Sequence, residues 1–151
     1  MKVAGASNPT PRTRVVFSIK LCGIRTLEDA GHAIEAGADA IGLNFYSKSR
    51  RYVAPDTAVQ IVRTLPARVS AVALFVNASV EEIRAVLNTV RVDYLQLHGD
   101  EAPEQLAEIA ALGVPIVRAL RLDAAGLAPI DAYLARCQEL SAFPAAILLD
   151  A

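Results

Sequence analysis

Lys20 and Cys22 are the first residues in the chain whose types and spacing could do chemistry together. They lie in the stretch VVFSIKLCGIRT over residues 15–26, which reads as a buried strand over 15–21, a turn at Gly23 and a helix opened by Thr26. Side chains alternate across a strand, so Lys20 and Cys22 emerge on one face at its carboxyl end while Leu21 goes to the other. An ammonium beside a thiol favours the thiolate. It lowers the cysteine pKa from about 8.5 and makes a base or nucleophile near neutral pH. The competing reading is a small buried hydrophobe, the default for a cysteine at a strand end.

The elements that must position this pair follow in a regular series. From residue 15 onward a short apolar run, a polar turn and an amphipathic helix recur at roughly 25-residue intervals. Strands are expected over 40–45, 69–76, 93–97, 116–120 and 145–149, and helices over 27–36, from Pro55, after Ser79, over 103–112 and over 127–139. Thr26 with Asp29, and Ser79 with Glu82, have the spacing of capping boxes. Strand and helix in alternation, without a hairpin signal, is the βα repeat of a parallel sheet covered by helices. An open doubly wound sheet would usually carry a glycine-rich phosphate fingerprint after its first strand, and Cys22-Gly23-Ile24-Arg25 is not one. Asn44, Asn77, Gln96, His98, Arg118 and Asp150 fall at or near the carboxyl ends of different strands, the face where barrel enzymes place their chemistry.

Composition narrows the function classes. The 151 residues are 54% hydrophobic with a net charge of -1, enough for one core and too balanced for a dedicated nucleic-acid or anionic-membrane partner. No apolar run approaches the roughly 20 residues of a membrane span. Two cysteines far apart, without a signal-peptide pattern before them, point to reduced thiols and a cytoplasmic location. Residues 1–14, with prolines at 9 and 11 and only basic charges, read as a disordered tail ahead of a (β/α) domain over 15–151.

Six segments, in order, resemble the phosphoribosylanthranilate isomerase family: Lys20-Leu21-Cys22-Gly23-Ile24, Gly37-Ala38-Asp39-Ala40-Ile41-Gly42, Ser49-Arg50-Arg51-Tyr52-Val53, Phe75-Val76-Asn77, Gln96-Leu97-His98-Gly99 and Leu148-Leu149-Asp150. The resemblance implies a (β/α)8 TIM barrel and an Amadori rearrangement in tryptophan biosynthesis. An acid protonates the furanose oxygen of N-(5-phosphoribosyl)anthranilate, and a base removes the proton from C2. By the family's pattern Cys22 is the base and Asp150 the acid. Arg51 is the guanidinium that meets the anthranilate carboxylate, and Lys20, Gln96 and His98 belong to the substrate site. The implied substrate is a small phosphosugar, and neither cofactor nor metal is implied. Taken alone, His98 fits a hydrogen-bonded core histidine as well as a substrate contact, and Asp150 fits a helix cap. Cys137 and the loop charges Lys48 and Arg50 read as structural or solvated.

A (β/α)8 barrel typically takes roughly 200 residues or more, and six strands are legible here. The expected fold is therefore a barrel truncated after its sixth strand, short of the last two βα units that carry the phosphate site in such barrels. Completion by a second polypeptide or by a homo-oligomer follows as an expectation. The alternative to an isomerase is an inactive or oligomerising fragment.

Overall fold

The computed structural model describes residues 17–124 and 126–150, so the expected tail and the first residues of the expected first strand lie outside the described residues. Among the described residues six strands alternate with five helices: β1 (Lys20–Cys22), α1 (Leu27–Glu35), β2 (Ala40–Asn44), α2 (Pro55–Thr64), β3 (Ser70–Phe75), α3 (Val80–Leu87), β4 (Tyr94–Leu97), α4 (Pro103–Ala110), β5 (Ile116–Arg121), α5 (Ala128–Glu139) and β6 (Ala146–Asp150). The strands form one sheet in the order β1-β2-β3-β4-β5-β6, and every neighbouring pair is parallel. A doubly wound sheet reverses its strand order at a switch point; this one never does, which is the order of a barrel wall.

Local sequence accounts for the elements. Thr26 and Ser79 cap α1 and α3, each accepting from the N3 backbone while Asp29 and Glu82 reach back to the cap N–H. Proline opens α2 and α4, where its missing N–H costs nothing. Parity then sorts the strand side chains. Ile41, Leu43, Ala73, Phe75, Leu95, Leu97 and Ile116 pack against buried residues of the helices, including Ala30, Ile61, Ile83, Leu106 and Cys137. The opposite parity gives a smaller cluster of Ala40, Val72, Tyr94 and Val117, joined by Phe17, Ala146 and Leu148. All helices therefore cover one face, and the other is the inner wall of a half-barrel.

The first strand differs from expectation. It is ordered as sheet only over Lys20–Cys22, because the N–H groups of Ser18 and Ile19 donate to the Asp39 carboxylate at 2.7 and 2.8 Å instead of to a strand. Asp93 does the same for Ala71 at 2.8 Å, so two aspartates stitch the amino-terminal rim of the sheet. β1 and β6 are the edges; Leu21, Ile147 and Leu149 on them, and Ile19 just before β1, are exposed.

Candidate functional site

At the carboxyl rim, register places the residues of interest on the inner face. Cys22 pairs with Gly42, Gly42 with Val72, and Val72 with Tyr94. Two-residue steps from these positions reach Lys20, Gln96 and His98, while Val117 pairs with Ala146, two steps from Asp150. Arg118 has the other parity and points toward the helices, so it is not a rim group of the inner face.

Gly42 is the hinge of the first cluster. A Cβ there would stand 2.7 Å from Cys22 Sγ and 3.1 Å from Lys20 Nζ, so sulfur and ammonium converge on the space that the missing side chain leaves. Cys22 is exposed and Lys20 half-buried. Arg51 reaches the neighbouring Gly23 from the loop after β2. Its aliphatic stem lies over Gly23, where a Cβ would be 2.6 Å from Arg51 Cδ; Gly23 has φ +88°, so a side chain is doubly disfavoured. Asn44 and Ser49 hold that loop. Asn44 Oδ1 accepts from Tyr46 N at 2.8 Å, its Nδ2 donates to Ser49 Oγ at 3.1 Å, and Ser49 Oγ accepts from Arg51 N at 3.1 Å. Beside it, on the helix side of β1, Leu21, Gly23, Arg25, His32, Arg50 and Arg51 line a cleft of about 700 Å³ that neither Cys22 nor Lys20 lines.

The second cluster joins β4 to β6. His98 Nε2 lies 3.1 Å from Asp150 Oδ2, and its Nδ1 is 3.5 Å from the Gln96 amide nitrogen. With that amide donating to Nδ1, Nε2 carries the proton and donates to the carboxylate. Side-chain exposures of 36% for His98 and 55% for Asp150 decide against a core histidine: this imidazole is a partner of the aspartate at an open rim. Gln96 is 2% exposed, and its Oε1 is buried without a hydrogen-bond partner among the described residues. A buried acceptor left open costs free energy unless something donates to it. Beside this cluster lies a cleft of about 420 Å³ lined by Asn77, His98, Asp100, Arg121 and Asp150.

Sequence reasoning did not single out Gly42, Glu101 or Tyr133. Gly42 was visible only as a motif glycine, and nothing in the sequence around Glu101 signals a buried partner. Cys137 is fully buried among the helices, and burial pushes its thiol up. No group of three or more His, Cys, Asp or Glu among the described residues is placed to hold a metal ion, and no helix among them is long and apolar enough to cross a membrane.

Residues 19–141 match the family model of N-(5'phosphoribosyl)anthranilate (PRA) isomerase. A curated N-(5'-phosphoribosyl)anthranilate isomerase of Herminiimonas arsenicoxydans is 51% identical over 105 residues, 69% of this chain and 46% of that protein. One of Ralstonia nicotianae is 50% identical over 115 residues, 76% of this chain and 48% of the relative. The crystal structure of the phosphoribosyl anthranilate isomerase of Thermotoga maritima superposes with a TM-score of 0.71 at 38% identity, over 87% of this chain and 60% of that one. A second solved isomerase structure, in complex with reduced 1-(o-carboxyphenylamino)-1-deoxyribulose 5-phosphate, gives the same TM-score of 0.71. The chain spans about half the length of the curated relatives it matches.

Proposed function

The chain belongs to the N-(5'-phosphoribosyl)anthranilate isomerase family, and from that premise we propose that it carries the working groups for the Amadori rearrangement of N-(5-phosphoribosyl)anthranilate to 1-(2-carboxyphenylamino)-1-deoxyribulose 5-phosphate, a step of tryptophan biosynthesis. The observation that carries the proposal is the convergence of Cys22 and Lys20 over Gly42, on the same face and rim as the His98–Asp150 pair.

Asp150 gives a proton to the furanose ring oxygen. The C1–O bond breaks as the amine lone pair closes C1=N, producing the Schiff base. Cys22, as thiolate, takes the proton from C2; that electron pair forms C1=C2 and returns the nitrogen to an amine. Loss of the C2 hydroxyl proton and gain of one at C1 then give the ketone. Within one molecule C1 is reduced as C2 is oxidised, so no external electron carrier is required. The two groups sit on the outermost strands of the sheet, which suits attack from opposite sides of one sugar. Lys20 supplies positive charge beside the sulfur, Arg51 a planar fork for the anthranilate carboxylate, and Gln96 Oε1 an acceptor for a sugar hydroxyl. Two unpaired cysteines fit the reducing cytoplasm we propose as its location.

The exposed apolar residues on β1 and β6 favour a second reading, in which these edges associate with another copy or a complementing chain. One of the solved neighbours is described as a monomer made from the dimeric Thermotoga maritima enzyme.

The test is a coupled assay for the aminoketose product, with the chain alone and in a completed barrel. Cys22→Ser and Asp150→Asn are each expected to cut turnover by about 100- to 10,000-fold, the usual worth of a proton-transfer group, while leaving the protein folded. Near wild-type turnover in a well-folded Cys22→Ser protein overturns the assignment of the base.

A further inference from the structure

Behind the His98–Asp150 pair, on the helix side of the sheet, lies a buried ionic cluster with no part in the rearrangement as written. The Arg118 and Glu101 side chains are 4% and 0% exposed, and Arg118 Nη1 meets Glu101 Oε2 at 2.9 Å. The same nitrogen donates to the carbonyls of Leu97 at 3.0 Å and Ala119 at 2.9 Å, and Nη2 donates to Gly99 O at 3.0 Å. One guanidinium therefore holds the carbonyls on both sides of His98. Glu101 completes the grip by accepting from the N–H of Gly99 at 2.9 Å and of Asn77 at 2.9 Å. His98 N itself donates to Phe75 O at 3.0 Å. Tyr133 of α5 closes the far side: its hydroxyl accepts from Arg118 Nε and donates to Glu101 O, each at 3.0 Å.

Taking a charge pair out of water is expensive, and an apolar pair of similar volume is often as stable or more so. An arrangement this fully hydrogen-bonded around one short loop is better explained by what it fixes than by net stabilisation. We propose that Arg118 and Glu101, braced by Tyr133, are positioning residues that set the His98 imidazole and, through it, the Asp150 carboxyl.

This deepens the isomerase reading and rests on it. With the loop fixed, the Nε2 to Oδ2 contact at 3.1 Å holds one carboxylate oxygen and leaves the other to carry the transferable proton. With the loop loose, Asp150 keeps its chemistry but loses its aim.

The test uses the doubly neutral variant Arg118→Met/Glu101→Gln, which leaves no unpaired buried charge, with Tyr133→Phe as a milder second variant. In the coupled assay the double variant should lose kcat by about 10- to 100-fold with KM within about twofold, and Tyr133→Phe should move the same way by less. In a His98→Ala background the network substitutions should cost nothing further, because their effect runs through the imidazole. Fully additive losses overturn the proposal. A second readout is independent of turnover. The His98 ring 15N shifts should respond to Asp150→Asn in the otherwise unmodified protein and should cease to respond in the double variant or, if that fails to fold, respond less in Tyr133→Phe. An unchanged response in whichever variant folds overturns it as well. Absence of turnover in the completed wild-type barrel would sink the isomerase reading, and the NMR readout would then judge the loop clamp alone.

Discussion

At the β1–β2 end of the rim, Cys22 and Lys20 meet over Gly42 on a three-residue edge strand, and the cysteine is exposed. At the β4–β6 end, Asp150 is also exposed, but its partner His98 stands on a loop whose carbonyls are gripped by a buried arginine. One cluster is made by leaving space, the other by filling it with hydrogen bonds. The first should tolerate loss of its charges and resist any gain in volume. The second should tolerate the exchange of rim groups and fail when a buried partner is removed.

The largest expected effect on stability comes from breaking the buried pair unevenly. Arg118→Ala strands Glu101, whose side chain is 0% exposed, and should cost about 3–5 kcal/mol in urea unfolding. Lys20→Met at the other end removes a charge as well, yet should stay within about 0.5 kcal/mol of wild type, as half-exposed positions usually do. Similar losses for both would erase the distinction between the two ends.

Gly42→Ala is the converse experiment. The added methyl would stand 3.1 Å from the Cys22 backbone Cα as well as 2.7 Å from its sulfur, so more than a flexible side-chain tip must give way. A cost of about 1–3 kcal/mol is expected from overpacking. The rate at which a small alkylating reagent modifies Cys22 should change with it, and fully buried Cys137 serves as the unreactive control in the same molecule. An unchanged rate would mean that the sulfur does not occupy the glycine's space.

How much of this was legible in the sequence follows from the same contrast. Lys20, Cys22, His98 and Asp150 were readable because each sits at a strand end within a motif, and period two sends them to one face. The six strands, the sequential barrel order and both capping boxes were readable for the same local reasons. The face that Arg118 takes was not legible, because its neighbours on β5 are apolar on both faces and alternation gives no sign of which way it points. Glu101 and Tyr133, 32 residues apart, meet only through tertiary packing. The short β1 was hidden because a side chain two elements along the chain, Asp39, takes over the backbone bonds of Ser18 and Ile19.

Arg50 and Arg51 sharpen the first cluster more finely. Arg51 lies over Gly23, whereas Arg50 contributes its carbonyl to Arg25 Nη1 at 3.2 Å. If the proposed substrate binds there, Arg51→Ala should raise its KM by roughly 10-fold or more, as expected when a charged hydrogen-bonding partner worth about 1.5–3 kcal/mol is lost. Arg50→Ala should change it less than about twofold, since a backbone carbonyl survives the substitution. Equal shifts would give the carboxylate to the wrong arginine.

The smallest effect concerns what holds the edge strand at its other end. Asp39 accepts from Ser18 N and Ile19 N, and these bonds, Ser18 first, hold its carboxyl below the usual aspartate range. A depressed folded pKa stabilises the folded state fully above the unfolded value, near 3.9, and that contribution is lost as pH falls through the folded value. Wild type should therefore exceed Asp39→Ala in stability at pH 6, with the gap narrowing below about pH 4 as the carboxylate takes up its proton. The same loss should be local before it is global. Amide exchange at Leu21 and Cys22 should quicken in Asp39→Ala and, for wild type, should gain on that of the β4 amides as the pH falls toward 3, because the Asp39 carboxylate bonds the backbone just ahead of β1 and not that of β4. A pH-independent gap between the two proteins would show that Asp39 acts through packing at the sheet rim and not through its charge.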